Sequence, residues 1–226
     1  MSSRAKSKIE AVVFDMDGLM FNTELLYPQV SYELLRRRGH ELTQELTNAM
    51  MGRPARDAFR IMIEWHELDA TPEILADESD AIFEVILDEH LAPMPGLLAL
   101  LNALEQAEVP KGVATSSGRP MAEKILGTFE ILPRLRFLLC GTDVENGKPN
   151  PEIYLLAAEK MGVAPERMLV LEDSHTGSRA AIAAGAFVVA TPGDHSRHHD
   201  FSGAQFVANT LEDTRIYEVL GLPREI

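Results

Sequence analysis

The chain has 226 residues, 46% of them hydrophobic and 25% charged, which is enough apolar material for one large domain or a core carrying a smaller insertion. Its formal net charge of -14, from 35 acidic and 21 basic residues, argues against nucleic acid or an anionic membrane as the main partner. A single cysteine, Cys140, rules out an intrachain disulfide and fits a reducing cytoplasm, and no apolar stretch reaches the roughly 18 residues of a membrane span.

Met1–Lys8 is polar and basic with no apolar segment behind it, so it reads as a frayed terminus and not a signal peptide. Ile9–Phe14 is a short β-rich apolar run that ends in Asp15-Met16-Asp17-Gly18, a buried strand followed by a tight turn. From about Thr23 to Glu89 apolar residues recur at helical spacing and β-branched runs are scarce, which predicts an all-helical insertion. Within it Thr71-Pro72-Glu73 marks a helix start, with Thr as N-cap and Pro at the first helical position, opening about four turns to near Glu89. Arg36-Arg37-Arg38 before Gly39 reads as the exposed, dipole-completing end of another helix.

After Pro93 and Pro95-Gly96, strands and helices alternate. The pattern predicts a helix over 97–107, a strand over 109–115, a helix over 121–129 and a strand over 137–140. Asn150-Pro151-Glu152 starts a helix that runs to Met161 and stops at Gly162. A strand over 168–171, a helix over 176–184 ending at Gly185 and a strand over 187–190 follow. Such alternation implies a parallel, doubly wound α/β sheet with a Rossmann-like core, here residues 1–20 and 91–226, and a helical cap at 21–90.

In open parallel sheets, ligands bind outside the carboxyl ends of the strands. There the chain places Asp15-Met16-Asp17-Gly18, Thr115-Ser116-Ser117-Gly118, Gly147-Lys148-Pro149 and Glu172-Asp173-Ser174. A carboxylate can attack phosphorus and divide one hard step into two. A second carboxyl two residues on can protonate the leaving oxygen and then deprotonate water. Several acids crowded together call for a hard cation, and Mg²⁺ prefers oxygen ligands. With a lysine, that cation would offset the charge of a transferring phosphoryl group.

FDMDG at Asp15–Gly18, VATSSG at Thr115, GKPNPEIY at Lys148 and VLEDS at Glu172-Asp173 resemble, in order and spacing, the four motifs of the haloacid dehalogenase (HAD) superfamily. The helical insertion resembles the cap of its phosphoglycolate phosphatase and β-phosphoglucomutase branch, and FDMDGLMFNTELLY and ATSSG look closest to pseudouridine-5′-phosphatase-like members. The resemblance implies Asp15 as nucleophile and metal ligand, and Asp17 as general acid/base with its carbonyl on the metal. It implies Thr115 and the Ser116 N–H on the phosphoryl group, and Lys148 neutralising Asp15 and phosphate. Asp173 is implied as a metal ligand, with Glu172 either a ligand or an acid behind it. One departure is visible: many relatives carry Asp-Thr-Glu where this chain has Asn22-Thr23-Glu24.

The reading that results is a monomeric, Mg²⁺-dependent phosphatase of the cytoplasm acting on a small phosphomonoester, a sugar phosphate or nucleoside monophosphate, through an aspartyl-phosphate. The cap is expected to open for substrate and close against bulk water. A phosphosugar mutase and a non-catalytic protein with a relic site are the rivals. Tyr27 stands where the β-phosphoglucomutase group carries a cap-hinge histidine, and an aromatic there is expected to pack cap against core. Gly52-Arg53-Pro54 is either a specificity loop reaching substrate or an ordinary helix–helix turn. His195, His198 and His199 do not match a structural zinc spacing and read as a solvated loop.

Overall fold

A computed structural model describes residues 9–50, 53–194 and 196–223. Its chain divides into two compact units, Asn22–Ala92 and Met1–Phe21 with Pro93–Ile226. The terminal segment 1–8, Gly52 and His195, each singled out in the sequence, lie outside the described residues.

The larger unit begins with strand β1 (Ala11–Phe14). The Asn22–Ala92 unit is helical among its described residues: α1 (Tyr27–Arg36), α2 (Gln44–Met50), α3 (Ala55–His66) and α4 (Pro72–His90). Thr71 caps α4, its hydroxyl accepting the Ile74 N–H at 3.3 Å, with Pro72 in the first turn. At 19 residues α4 makes just over five turns and ends at His90, one residue past the end expected near Glu89, with Leu75, Ile82, Phe83 and Leu87 buried along its apolar face. The arginines at the end of α1 are engaged: Arg36 and Arg37 pair with Glu33 of the same helix, and Arg38 reaches Glu78 of α4 at 2.7 Å. Tyr27 stacks on Phe83 with ring centroids 4.9 Å apart, so this aromatic contact is internal to the helical unit.

The larger unit continues with α5 (Leu97–Gln106), β2 (Lys111–Ala114), α6 (Arg119–Thr128), β3 (Leu138–Leu139), α7 (Glu152–Met161), β4 (Met168–Glu172), α8 (His175–Ala183), β5 (Phe187–Ala190), β6 (Phe206–Val207) and α9 (Thr214–Leu220). The strands form one six-stranded sheet in the order β3-β2-β1-β4-β5-β6, every neighbouring pair parallel. This is the doubly wound sheet that the alternation implies. Ala11, Val13, Ala114, Val170 and Val188 face Tyr154, Ala157, Ala180 and Ala181 of α7 and α8 in one buried cluster. Val12, Phe14, Leu169 and Leu171 point the other way and are equally buried, as strands covered on both faces require.

Most element boundaries shift by one or two residues from the sequence reading, and two helix starts do so for clear local reasons. Helix α6 begins at Arg119, not Met121, with Pro120 in its first turn. Helix α8 begins at His175, its N-cap Ser174 accepting the Gly177 N–H at 3.0 Å. Strand β6 and helix α9 have no counterpart in the sequence reading; α9 carries its own signals, Asp213 capping through Arg215 N and Gly221 in the left-handed conformation at its end.

Candidate active site

The order of the strands decides what meets. β1 is central, flanked by β2 and β4, so the residues just past these three strands share one edge. Asp15 continues the β1 ladder by donating its N–H to Leu171 O at 3.0 Å. The chain then turns sharply at Gly18, whose φ of 75° suits a residue without Cβ, and the turn closes through Gly18 N–H on Phe21 O at 2.9 Å.

Lys148 organises the edge. Its ammonium donates to Asp15 Oδ1 at 2.5 Å, Glu172 Oε1 at 2.7 Å and Ala114 O at 3.0 Å, three acceptors for three protons. Its side chain is only 5% exposed. Burial works against that charge, but Asp15 and Glu172 outweigh it and hold the ammonium well above its usual range. Asp15 is pushed well above the usual carboxylate range, first by burial, opposed by Lys148, then by repulsion from Glu172, Asp173 and Asp17.

Glu172, the last residue of β4, is fully buried. Its Oε1 accepts the Tyr154 hydroxyl at 2.7 Å as well as Lys148, and its Oε2 accepts the Ser174 N–H and hydroxyl at 3.1 and 2.9 Å. The Tyr154 ring also lies 5.0 Å from the Lys148 ammonium. Burial and the nearby Glu172 push the phenol well above its usual range, so it stays a donor. Gly177 of α8 passes so close that a Cβ there would lie 1.6 Å from Glu172 Oε1.

Asp17 is held from the β2 side. Its Oδ2 accepts the Ser117 hydroxyl at 2.7 Å and the Thr115 hydroxyl at 3.1 Å, while Thr115 Oγ1 accepts the Ser117 N–H at 3.0 Å. Ser116 lies between them and is exposed. Asp173 is buried, and its main-chain carbonyl accepts the hydroxyl of fully buried Ser196 at 2.8 Å.

Asp15, Glu172 and Asp173 each offer a carboxylate oxygen within 4.8 Å of the others. Three buried carboxylates against one ammonium leave excess negative charge, and an all-oxygen donor set of this kind fits a hard divalent cation. Among the described residues no other such group occurs. His198 and His199 stack edge-on at 4.5 Å and belong to no such group. Cys140 is buried, with burial raising its thiol. In the helical unit Arg53 is exposed and donates to Ala49 O at 2.9 Å.

Asp15, Asp17, Thr115, Lys148, Glu172 and Asp173 are thus brought together, as the motifs require. Tyr154, Ser117, Ser174, Gly177 and Ser196 complete the arrangement; the sequence places Ser117 and Ser174 in the strand-end motifs but gives none of the five a role. Tyr154 and Ser117 lie inside the GKPNPEIY and ATSSG stretches, but nothing in their local pattern says what they hold.

Comparisons with known proteins give the family. Residues 12–191 match the haloacid dehalogenase-like hydrolase family. A Drosophila melanogaster protein named "Probable pseudouridine-5'-phosphatase" is 35% identical, spanning 99% of this chain and 98% of its own. A phosphorylated carbohydrates phosphatase of Thermotoga maritima is 33% identical over 78% of this chain and 82% of its own. A HAD family hydrolase of Deinococcus radiodurans, solved with bound phosphate and sodium, superposes with a TM-score of 0.81 at 27% identity, over 97% of this chain and 100% of that one. With the four motifs converging on one sheet edge and the match running through all of them, the chain belongs to the haloacid dehalogenase-like hydrolase family.

Proposed function

We propose that this chain is a phosphatase that hydrolyses a small phosphomonoester through an aspartyl-phosphate on Asp15. The observation that carries the reading is the Asp15–Lys148–Glu172 chain, with Asp17 two residues from Asp15 and held by separate donors.

In the first step an Asp15 carboxylate oxygen attacks phosphorus and the ester P–O bond breaks. The leaving oxygen takes the proton of the Asp17 carboxyl and departs as an alcohol. In the second step water attacks phosphorus, gives its proton to the Asp17 carboxylate, and the bond to Asp15 breaks. Inorganic phosphate leaves and both carboxyls return to their starting states. Lys148 keeps Asp15 oriented and offsets charge on the phosphoryl oxygens, and Thr115 with the Ser116 N–H holds them from the β2 side.

We assign the cation as Mg²⁺, with Asp15, Asp173 and the Asp17 carbonyl as its protein ligands. When bound, it lowers the repulsion between the phosphoryl oxygens and the acids. Proximity alone would add Glu172, but each of its oxygens already accepts two donors, so we place Glu172 behind the ligands, orienting Lys148.

The named substrates of the relatives, a nucleotide-type and a carbohydrate phosphate, support a sugar phosphate or nucleoside monophosphate here. The helical unit serves as the cap that selects among them, with Arg53 its candidate substrate contact. We place the enzyme in the cytoplasm as a monomer; a single buried cysteine suits a reducing compartment.

The test is phosphate release from a panel of phosphomonoesters with Mg²⁺ and with chelator. Asp15→Asn should fold normally and lose at least about a thousandfold in turnover, because an amide does not attack phosphorus. Retained turnover in carefully purified Asp15→Asn would remove Asp15 as nucleophile.

A further inference from the structure

We infer that Ser117 is a positioning residue for the acid/base Asp17, the donor that holds its carboxyl in place while Thr115 turns to the phosphoryl group. The inference rests on the phosphatase reading and adds to it a residue which that reading leaves without a role.

Ser117 makes two different bonds into the site. Its N–H donates to Thr115 Oγ1 at 3.0 Å and its hydroxyl donates to Asp17 Oδ2 at 2.7 Å. Its own carbonyl accepts the Gly141 N–H at 3.2 Å, and no Cβ fits at residue 141, where it would lie 2.5 Å from Ser116 O. The backbone under Ser117 is therefore fixed on both sides, which makes it a firm mount for a side-chain donor.

Proton counting separates Ser117 from Thr115. Each hydroxyl carries one proton. Thr115 spends its proton on Asp17 Oδ2 at 3.1 Å and fills an acceptor site with the Ser117 N–H. To donate to a phosphoryl oxygen, Thr115 must release Asp17. The Ser117 bond is the shorter of the two and has no second duty among the contacts described, so it is the one that persists. With Oδ2 occupied by a donor, Oδ1 is the oxygen that carries the proton to the leaving group. Ser117 thus selects which oxygen of Asp17 acts, as well as where the carboxyl sits.

The role predicts a dependence on the leaving group. An alkyl alcohol must be protonated as it departs, whereas p-nitrophenolate leaves without a proton. Removing the positioning donor should therefore penalise alkyl phosphates selectively, in kcat/KM, which reports the steps up to aspartyl-phosphate formation.

The experiment compares wild type, Ser117→Ala, Ser117→Thr and Asp17→Asn on p-nitrophenyl phosphate and on the best alkyl phosphate of the panel. Ser117→Ala is expected to lose about tenfold on the alkyl ester and less than about twofold on the aryl ester, a fraction of the roughly 10²–10⁴ that a general acid supplies. Ser117→Thr, which keeps a hydroxyl, is expected to recover most of the loss. Asp17→Asn should show the same selectivity with a larger loss. If Asp17→Asn is selective and Ser117→Ala is not, losing equally on both esters or on neither, the role of Ser117 is overturned while the acid reading stands. If Asp17→Asn itself shows no selectivity, the acid reading fails and the role of Ser117 fails with it.

Discussion

The Tyr154 hydroxyl donates to Glu172 Oε1 at 2.7 Å across 18 residues of sequence, with both side chains fully buried. One residue on α7 thus fixes an acid at the end of β4, and the same ring lies 5.0 Å from the Lys148 ammonium. Tyr154→Phe keeps the ring and removes the donor. Glu172 would then hold a buried charge with one bond fewer, a cost of about 1–3 kcal/mol. Urea unfolding should show a lower midpoint with an unchanged slope. Activity should fall as well, because Lys148 loses an oriented partner. A variant as stable as wild type would mean that Glu172 finds another donor.

Gly177 tests the same acid by volume. A Cβ there would lie 1.6 Å from Glu172 Oε1 and 2.1 Å from its carboxyl carbon. Residue 177 is in the first turn of α8, where helix propensity alone favours alanine over glycine. Propensity therefore predicts that Gly177→Ala stabilises by up to about 1 kcal/mol. The clash predicts the reverse, and it dominates because Glu172 is held by four donors and cannot step aside cheaply. We expect a net loss of about 2 kcal/mol or more and a loss of activity, checked by unfolding and by phosphate release.

Much of the site is legible in the sequence alone. β1 and β4 are buried on both faces and so read as continuous apolar runs, and Asp15, Lys148 and Asp173 follow from motif order. The supporting residues are not legible there, because their roles depend on distance in space. Ser117 meets Asp17 across 100 residues and Tyr154 meets Glu172 across 18. Ser196 sits in a polar, histidine-rich segment that looks like solvated loop, yet it is fully buried against the Asp173 carbonyl. β6 escapes a sequence reading because a two-residue strand at the sheet edge carries almost no periodic signal.

Glu105 gives a pH prediction away from the metal ligands. Arg134 first, with Lys111 assisting against some burial, lowers its carboxyl from the ordinary 4.5 to about 2. A folded value below the unfolded one adds stability above pH 4.5, and that stability is lost as pH falls from 4.5 towards 2. The Glu105 side chain is 42% exposed, so solvent screens the pair. Exposed pairs are worth up to about 1 kcal/mol, or about 2–4 °C in a chain of this size, and Lys111, whose side chain is 5% exposed, adds to the loss when its partner goes. Glu105→Gln should therefore melt slightly below wild type at about pH 6–7 and converge with it near about pH 2. A gap that stays constant across that range would show that packing, not charge, sets the effect.

Asn22 is where this chain departs from the Asp-Thr-Glu of many relatives, and the structure gives the amide a use that a carboxylate lacks. The helical unit begins at Asn22 and ends at Ala92. The Asn22 side chain joins the two ends, its Nδ2 donating to His90 O at 3.1 Å and its Oδ1 accepting the Ala92 N–H at 2.8 Å. The Asn22 N–H donates to Ala92 O at 3.1 Å, making three bonds in all. One side chain therefore supplies a donor and an acceptor, as a paired strand residue would. Asn22→Asp keeps the acceptor, loses the donor and sets a negative oxygen against the His90 carbonyl. Asn22→Ala loses both bonds but adds no repulsion. Because the contact is partly exposed, water replaces much of what is lost, and we expect about 0.5–1.5 kcal/mol for each bond removed. Repulsion should make Asn22→Asp at least as damaging as Asn22→Ala at about pH 7. Lowering the pH to about 3 protonates the new carboxyl and restores a donor, so the Asp variant should recover relative to the Ala variant. Hydrogen exchange of the Ala92 amide at the two pH values reads this directly. Equal protection in both variants at both pH values would show that the backbone pair alone closes the unit.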